Sequence, residues 1–317
     1  MNILPLTEGT KLEKDAALAL GFFDGVHLGH QEIFRRTVEA ANQNNLTSAA
    51  FTFVNHPSEI VSGEIVPLLS TFLEKKDLIV PSGIQQLVYR RFMPEFSGIS
   101  ARDFVEKILL GQLRAKIVVV GENYTFGHRG QGDPEFLKEL GAQWGFKVLV
   151  GKTVKAQEQV ISSTLIRELV KKGDLVQAAS MLGRDYSVRG VINHGPGIGQ
   201  TLGFPTANLL PHLEKLLPPN GIYLVRFKVG GEIYPGVANL GFAPTFIEKE
   251  FALEVHLLNF SGSIYGEEAE VSFLGYMREE IKFPDRSALI EQIRRDVSQA
   301  VAFFHDNPQA LRREVWA

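Results

Sequence analysis

The first half of the chain alternates short apolar runs with longer amphipathic stretches, and this pattern restricts the fold more than any other feature. Strands are predicted at 16–22, 47–54, 84–92, 116–121 and 147–151. Between them, segments such as HQEIFRRTVEAANQ (30–43) and DPEFLKELGAQWG (133–145) carry apolar residues at helical spacing. Strands joined through helices pair in parallel and are covered by helices on both faces. The alternation therefore predicts an α/β domain with a doubly wound parallel sheet.

After residue 183 the pattern changes to closely spaced strands with turn signals between them. The strand-like runs are 186–193, 221–229, 232–241, 251–260 and 269–277. One helical segment remains, at 287–304. Short consecutive strands without long crossovers pair in an antiparallel way. The sequence therefore predicts a small antiparallel β-barrel with a C-terminal helix, and two domains, 1–183 and 184–317.

Composition excludes several classes of function. The 317 residues include no cysteine, which removes disulfides, thiolate nucleophiles and cysteine-based zinc sites. A net charge of −3 offers no broad basic surface, so no nucleic-acid partner is expected. The N-terminus lacks the features of a secretory signal, and no run reaches the roughly 18 apolar residues of a membrane-spanning helix. We therefore expect a cytoplasmic protein without a membrane partner; an oligomer is compatible with the sequence, but nothing in it supports one.

The stretch GFFDGVHLGH (21–30) turns from a predicted strand into a predicted helix. Its histidines, His27 and His30, can be packed structural residues, metal ligands or holders of a phosphate. A metal site would need a third ligand, and only Asp24 stands nearby. Three glycines leave backbone N–H groups and the positive end of a helix open to an anion, which favours phosphate. The stretch resembles the HxGH arrangement of nucleotidyltransferases.

Two further segments have both a structural and a functional interpretation. In ISSTLIR (161–167), Ser163 and Thr164 stand at a helix start, where hydroxyls cap the helix or contact phosphate, and Arg167 follows one turn later. The glycine-rich segment GENYTFGHRGQGD (121–133) follows the fourth predicted strand and suits either a flexible surface loop or a pocket wall. Both segments are candidates to complete a site with the histidines.

In the second half, GPGIGQTLGFPTANL (195–209) contains alternating glycines, but no helix follows them, so a dinucleotide-binding motif is excluded. Thr206 and Asn208 stand two residues apart and project from the same face of an extended chain. Their oxygen atoms are hard donors of the kind that Mg²⁺ prefers. Glu254 lies on a predicted strand, where it either faces solvent or acts as general base for an alcohol that attacks a phosphate.

These motifs occur in the order seen in the bacterial bifunctional riboflavin kinase/FMN adenylyltransferase (FAD synthetase) family, which the chain resembles over nearly its whole length. The resemblance implies a Rossmann-like N-terminal sheet of the HxGH nucleotidyltransferase type. This domain would transfer AMP from ATP to FMN, giving FAD and pyrophosphate, and the C-terminal domain would phosphorylate riboflavin to FMN. Mg²⁺ is the implied cofactor, with ATP, riboflavin and FMN as substrates.

The resemblance also implies roles for individual residues. Those assigned to ATP in the N-terminal domain are Gly21, Phe22, Asp24, His27, His30, Ser163, Thr164 and Arg167. Those assigned to ATP in the kinase domain are Gly195, Gly199, Thr206 and Asn208. The metal would be held by Thr206 and Asn208, and the flavin would be contacted by Asn123, Tyr124 and Phe126. Glu254 would be the kinase base. The catalytic residues of adenylyl transfer would be His27, His30 and Arg167.

Some positions depart from the usual pattern of the family: Asn55, Asn123, Gln200, Ala243 and Asn259. Gln200 and Ala243 replace arginines near the kinase nucleotide and flavin loops, and their loss would weaken binding there. One alternative is therefore an FMN adenylyltransferase whose barrel only binds flavin or regulates, and another is a flavin sensor without turnover. Class I aminoacyl-tRNA synthetases also carry HxGH, but no anticodon-binding extension accompanies it here.

Overall fold

The computed structural model describes residues 1–195, 197–242 and 251–312. The chain forms two compact units, Met1–Ser163 and Thr164–Ala317. The division falls at the start of a helix that begins at Ser163, whereas the expected domain limit lies at residue 183. Within the described part of the chain, none of the helices combines the length and the apolar character that crossing a bilayer requires.

A parallel sheet forms the centre of the first unit. Its strands are β1 (Asn2–Pro5), β2 (Ala16–Leu20), β3 (Thr47–Phe53), β4 (Gln86–Arg90), β5 (Ala115–Gly121) and β6 (Lys147–Gly151). They lie in the order β1-β4-β3-β2-β5-β6. The five predicted strands are confirmed: β2, β3 and β4 are shorter than predicted, β5 begins one residue earlier, and β6 has the predicted bounds. Strand β2 is buried along its whole length, as strands covered on both faces are. The sequence pattern missed β1, because its four residues are too few to show a period.

Helices connect the strands, so the carboxyl ends of all the strands lie at one edge of the sheet. The α-helices are α1 (Leu28–Asn44), α2 (Ser58–Val61), α3 (Phe72–Ile79), α4 (Pro94–Ser97), α5 (Ala101–Asp103), α6 (Pro134–Trp144) and α7 (Ser163–Lys172). A π-helix spans Phe104–Gln112, and single 3₁₀ turns span Asp24–Val26, Val80–Ser82 and His128–Gly130. A short hairpin of β7 (Lys155–Ala156) and β8 (Gln159–Val160) precedes α7. This edge, where the turns into the helices meet, is where α/β sheets bind ligands.

The second unit is a closed barrel of six antiparallel strands. They are β9 (Tyr186–Asn193), β10 (Ala207–Pro211), β11 (Gly221–Val229), β12 (Glu232–Phe242), β13 (Phe251–Leu257) and β14 (Glu268–Arg278), in the order β10-β13-β12-β11-β14-β9. Pairing of β10 with β9 closes the barrel and leaves no open edge. The helices are α8 (Leu175–Leu182), α9 (Ile198–Thr201) and α10 (Arg286–Asp306), followed by a 3₁₀ turn at Pro308–Leu311. The predicted barrel and C-terminal helix are confirmed; β10 adds a strand that was predicted only as extended chain.

Aromatic side chains fill the barrel interior, and a buried ion pair lies on the opposite face of β11. Tyr223 and Phe227 of β11 and Phe273 of β14 are at most 1% exposed and fill the interior. Beside this core, Nη2 of Arg226 donates to Oδ2 of Asp185 at 2.7 Å, and both side chains are buried. The guanidinium therefore depends on the carboxylate to offset the loss of water.

We expect Asp185→Ala to lower the free energy of unfolding of the barrel by roughly 3–5 kcal/mol, because the buried guanidinium of Arg226 loses its carboxylate. Glu270→Ala is the matched control, since it breaks a pair with Arg189 that spans 3.0 Å on the partly exposed barrel surface. Surface pairs contribute only about 0–1 kcal/mol. Differential scanning calorimetry measures both shifts, and equal shifts would contradict the dependence on burial.

Candidate active sites

The turn from β2 into α1 has an unusual backbone. Phe23 (φ 55°), Gly25 (φ 76°) and Val26 (φ 40°) all lie in the left-handed region. Glycine adopts this region freely, but a phenylalanine and a β-branched valine do so only when the surroundings impose it. The turn is therefore held in place by contacts from elsewhere in the unit.

Asp24 supplies the main contacts that hold this turn. Its carboxylate, 1% exposed, accepts hydrogen bonds from the backbone N–H groups of Leu69 (3.0 Å) and Ser70 (2.9 Å). The hydroxyl of Ser70 in turn accepts the N–H of Gly25 at 2.9 Å. Asp24, which the resemblance assigned to ATP, thus lies behind the turn and joins it to the segment before α3.

The two histidines meet at the start of α1. His27 is the N-cap residue, and its Nδ1 accepts the backbone N–H of His30 at 3.3 Å. Because Nδ1 accepts, the proton of a neutral His27 ring lies on Nε2. The two rings stack with centroids 3.5 Å apart, and the Phe23 ring packs edge-on against His30 at 5.3 Å. Both imidazoles therefore stand at the positive end of a 17-residue helix, a position that favours anions.

A cavity of about 290 Å³ opens in front of these histidines. Its walls come from the carboxyl ends of β2, β5 and β6 and from the segment before α7: they include Gly21, His27, Gly29, His30, Gly121, Asn123, Gly151, Ser162 and Ser163. Ser163 also donates from Oγ to the carbonyl of Asp24 at 2.9 Å. This bond joins the start of α7 to the turn from β2 into α1, which is called the glycine turn below. Thr164 and Arg167 lie on α7 within the second compact unit, so their roles stay predictions. Of the residues predicted to bind ATP in this domain, Gly21, His27, His30 and Ser163 thus line the histidine cavity, whereas Asp24 does not.

A second cavity of about 590 Å³ adjoins the first and is strongly aromatic. The two cavities share Gly21, Asn123 and Tyr124. The other aromatic residues of the second cavity are Phe22, Phe51, Phe53, Phe92, Phe96, Phe104 and Phe126. Tyr124 and Phe126 are nearly parallel, with an interplanar angle of 17°. Such walls suit a flat, largely apolar ring system.

The aromatic cavity brings together all three predicted flavin contacts and several residues that sequence reasoning missed. Phe22, expected beside the nucleotide, lines this cavity. Phe53, Phe92 and Phe96 were missed, although FTF (51–53) and FMPEF (92–96) mark aromatic residues where β3 and β4 end. That position at the ligand-binding edge was the signal that could have found them.

Asn55, one of the departures from the family pattern, has a structural role beside this cavity. Its side chain is buried; Oδ1 accepts the backbone N–H of Phe92 at 2.8 Å, and Nδ2 donates to the carbonyl of Phe92 at 3.1 Å. The amide thereby fixes one aromatic wall to the end of β3. Asn123, another departure, lines both cavities.

A third cavity, of about 460 Å³, lies between the wall of the barrel and α10 and is called the barrel cavity. Thr206, Asn239, Glu254 and His256 line it on the barrel side, and Leu289 and Ile293 line it on the helix side. Glu254 on β13 is directly opposite Asn208 of β10 on one side and Asn239 of β12 on the other. Burial raises the pKa of the Glu254 carboxyl. The structure thus brings a carboxylate into this cavity, on a strand between those of Asn208 and Asn239.

Close packing explains the two predicted glycines of this site. A Cβ at Gly195 would lie 2.1 Å from Nδ2 of Asn208, and one at Gly199 would lie 2.4 Å from the carbonyl oxygen of Phe204. The same atom at Gly199 would also come within 3.2 Å of Oγ1 of Thr206. Larger residues would therefore displace both candidate metal ligands. Among residues 1–195, 197–242 and 251–312, no three His, Asp or Glu side chains group together as a metal site.

Sequence reasoning missed several polar residues of the barrel cavity, including Asn239, His256, Arg278 and Asp296. His256 follows Glu254 on the same face of β13, and its Nδ1 lies 2.9 Å from the carbonyl of Pro205. Arg278 binds the buried carboxylate of Asp296 through Nε (3.0 Å) and Nη2 (2.6 Å), which joins β14 to α10. His256 lies on the same face of β13 as the predicted Glu254, and Asn239 of β12 pairs directly with Glu254. The alternation of the two strands could therefore have indicated both residues.

The other departures fall at the margins of this site. Gln200 is exposed on α9, so the arginine usual at this position is replaced at the surface. Asn259 has φ 59°, a conformation that asparagine and aspartate both tolerate. Ala243 lies outside the described residues.

Comparison with protein-family models finds a match to FAD synthetase at residues 10–165 and a match to riboflavin kinase at residues 182–304. The first covers the glycine turn and both cavities of the parallel-sheet unit. The second covers the barrel from β9 to most of α10. The two matches thus follow the order of the two kinds of site along the chain.

Similar full-length proteins carry both descriptions. A bifunctional riboflavin kinase/FMN adenylyltransferase from Listeria monocytogenes is 36% identical, covering 95% of this chain and 96% of the relative. One from Haemophilus influenzae is also 36% identical, with 95% and 98% covered, and one from Escherichia coli K12 is 33% identical, with 92% and 94% covered. The solved structure of a macrolide-efflux protein from Streptococcus pneumoniae matches with a TM-score of 0.85 at 29% identity, covering 94% of this chain and 98% of its own. That match supports the fold along nearly the whole chain.

The glycine turn gives a prediction about stability. A Cβ at Gly21 would lie 2.6 Å from the ring of Phe23, so we expect Gly21→Ala to lower the free energy of unfolding by about 1–3 kcal/mol. Gly9→Ala is the control, because nothing lies within 4 Å of its added Cβ. Urea unfolding followed by circular dichroism measures both. An unchanged midpoint for Gly21→Ala would mean that Phe23 moves aside without cost.

Proposed function

The chain belongs to the bifunctional riboflavin kinase/FMN adenylyltransferase family, and we propose how its cavities divide the two reactions. The C-terminal module phosphorylates riboflavin to FMN with ATP, and the N-terminal module adenylylates FMN to FAD with release of pyrophosphate. In this proposal riboflavin is phosphorylated in the barrel cavity. The two adjoining cavities of the parallel-sheet unit bind ATP and FMN for adenylyl transfer. The barrel is thus an enzyme module, not only a flavin-binding or regulatory one.

The domain limit in this proposal lies between residues 183 and 184. Helix α8 ends at Leu182, β9 begins at Tyr186, and the match to riboflavin kinase begins at residue 182. Location in the cytoplasm, and the absence of nucleic-acid and membrane partners, remain predictions from the sequence.

For adenylyl transfer, the observation that carries the proposal is the shared wall of the histidine cavity and the aromatic cavity. ATP would lie with its phosphates over the start of α1, where His27 and His30 donate to phosphate oxygens. The flavin ring of FMN would lie in the aromatic cavity, with Asn123, Tyr124 and Phe126 around it. An FMN phosphate is already a nucleophile, so it attacks the α-phosphorus of ATP without a general base, and pyrophosphate leaves. Alignment and charge stabilisation then supply the catalysis.

Helix α7 would complete this site. Ser163 lines the histidine cavity and is bonded to the carbonyl of Asp24. We assign Thr164 and Arg167 to the ATP phosphates on the basis of the ISSTxIR motif, with the guanidinium offsetting negative charge as pyrophosphate forms. Gly21 would allow the nucleotide to approach the backbone, and Asp24 would act by holding the turn.

For the kinase, the observation that carries the proposal is Glu254 inside the barrel cavity and directly opposite Asn208. Its carboxylate would accept the proton of the ribityl 5′-hydroxyl as that oxygen attacks the γ-phosphorus of ATP, and ADP would leave. The raised pKa of Glu254 makes it a stronger base than an ordinary glutamate. Asn208 and Asn239 would orient it from the neighbouring strands.

Thr206 and Asn208 fit a Mg²⁺ ion because they offer a hydroxyl and an amide oxygen, which are hard donors. Gly195 and Gly199 approach their side chains so closely that neither glycine can carry a Cβ without displacing them. When bound, the ion would neutralise charge on the phosphates of ATP. We therefore propose Mg²⁺ as the cofactor, held by Thr206 and Asn208 near Gly195 and Gly199.

We expect Glu254→Gln to reduce phosphorylation of riboflavin by about 10²–10⁴-fold and to leave conversion of FMN to FAD unchanged. In the unmodified protein, kinase activity should fall as pH drops through the raised pKa of Glu254, because protonation removes the base. Chromatography of riboflavin, FMN and FAD after incubation with ATP and Mg²⁺ resolves the two steps. Glu268→Gln, at an exposed position of β14, is the control. Loss of both activities in Glu254→Gln would contradict separate sites.

We expect the reverse result for His30→Ala: a fall of about 10²–10³-fold in the FMN-to-FAD step with riboflavin phosphorylation preserved, since a donor to the phosphates is removed. The same chromatographic assay, started from FMN, measures it. His305→Ala provides a control at an exposed histidine on α10. Adenylyl transfer at the unmodified rate in His30→Ala would remove the imidazole from the mechanism.

A further inference from the structure

A lysine without a role in either reaction as described lies beneath the glycine turn. Lys75, on α3, is fully buried. Its Nζ donates to the carbonyl of Phe22 at 2.7 Å and to the carbonyl of Phe53 at 3.1 Å. These carbonyls belong to residues at the ends of neighbouring strands, so one ammonium joins the exits of β2 and β3.

The same ammonium also lies against an aromatic ring. Nζ of Lys75 is 3.7 Å from the centroid of the Phe22 ring, within the range of a cation–π contact. The His56 ring meets Phe22 edge-on, with centroids 4.8 Å apart. Phe22 is therefore held by its carbonyl and through its ring, and this ring lines the aromatic cavity.

Burying an ammonium costs free energy that a neutral side chain would avoid. The loss of water lowers the pKa of Lys75 to about 7, against an opposing effect of the Asp24 charge. Its neighbour Lys76, by contrast, is partly exposed and lies 3.8 Å from Asp77. A buried cation in this position therefore lowers the stability of the fold unless its contacts compensate. The contacts of Nζ are with Phe22 and Phe53, which line the aromatic cavity.

We propose that Lys75 is a positioning residue for adenylyl transfer, which fixes the Phe22 ring as a wall of the cavity that takes the flavin of FMN. The inference rests on the proposed assignment of FMN to the aromatic cavity. Lys75 acts through Phe22 and does not touch the substrates. Asp24 and Ser70 hold the part of the turn nearest His27. The position of the histidines that face ATP therefore depends less on Lys75 than the position of the Phe22 ring does.

The test compares Lys75→Met with Lys76→Met in the full chain, by measuring KM for FMN, KM for ATP and kcat in the FMN-to-FAD reaction. Methionine keeps the length of the side chain but removes both the charge and the N–H donors. For Lys75→Met we expect KM for FMN to rise about tenfold, with KM for ATP within about twofold, because the variant removes both the cation–π contact and the buried hydrogen bonds that hold Phe22. Lys76→Met should change neither. Riboflavin phosphorylation by the barrel, measured in the same samples, reports the amount of intact chain.

A merely structural role would lower kcat in proportion to the folded fraction and leave KM for FMN unchanged, and that outcome would overturn the proposal. If calorimetry shows that Lys75→Met does not fold, Lys75→Gln, which keeps an N–H donor without the charge, takes its place with the same expectation for KM. If neither variant folds, Lys75 is structural and the proposal fails.

A double-mutant cycle with Phe22→Ala separates this inference from the assignment of the cavity. The proposal expects Lys75→Met to add little to the rise in KM for FMN that Phe22→Ala causes alone, because both act on one ring. If Phe22→Ala leaves KM for FMN unchanged, the assignment of flavin to the aromatic cavity fails. If Phe22→Ala raises KM for FMN but Lys75→Met does not, the assignment stands and the role of Lys75 is overturned.

Discussion

The carboxylate of Asp24 is the contact on which the geometry of the N-terminal site depends. It binds two backbone N–H groups from a segment 45 and 46 residues away in the chain, and it thereby holds a turn with left-handed residues at Phe23 and Val26. Each such residue costs on the order of 1–3 kcal/mol and persists only where the surroundings impose it. The buried hydrogen bonds offset that cost. The turn held in this way places His27 as the N-cap of α1, with its ring stacked on the ring of His30. A turn without the left-handed residues would not place the His27 ring there.

The two sites differ because their nucleophiles differ. A phosphate is already an anion at neutral pH, so the histidine cavity needs donors and positive potential, and it has two imidazoles at a helix start. An alcohol must lose a proton as it attacks, so the barrel cavity needs a base, and burial raises the pKa of Glu254 toward that function. One chain thus prepares phosphate transfer in two ways, with hydrogen-bond donors in one unit and a half-buried carboxylate in the other.

Sequence periodicity predicted most of the fold, because long apolar strands and amphipathic helices carry a period that can be read locally. It missed β1, whose four residues are too few to show a repeat, and it predicted β10 only as extended chain. His27 and Glu254 could be found from their motifs. The positions of Asp24 and Lys75 could not, since their partners lie 22 to 53 residues away and depend on how α3 packs beneath the turn. Such contacts follow from tertiary packing, which no local pattern records.

The glycines before β10 show how a correct motif can have an unexpected reason. The resemblance assigned Gly195 and Gly199 to ATP, but at Gly195 the close neighbour is the side chain of Asn208, 2.1 Å from where a Cβ would be. A side chain there would push the amide away from its place opposite Glu254. The glycine is therefore required by the packing of a candidate metal ligand inside the protein, before any nucleotide binds. Pre-organisation of this kind lowers the cost of ordering the site when the substrate arrives.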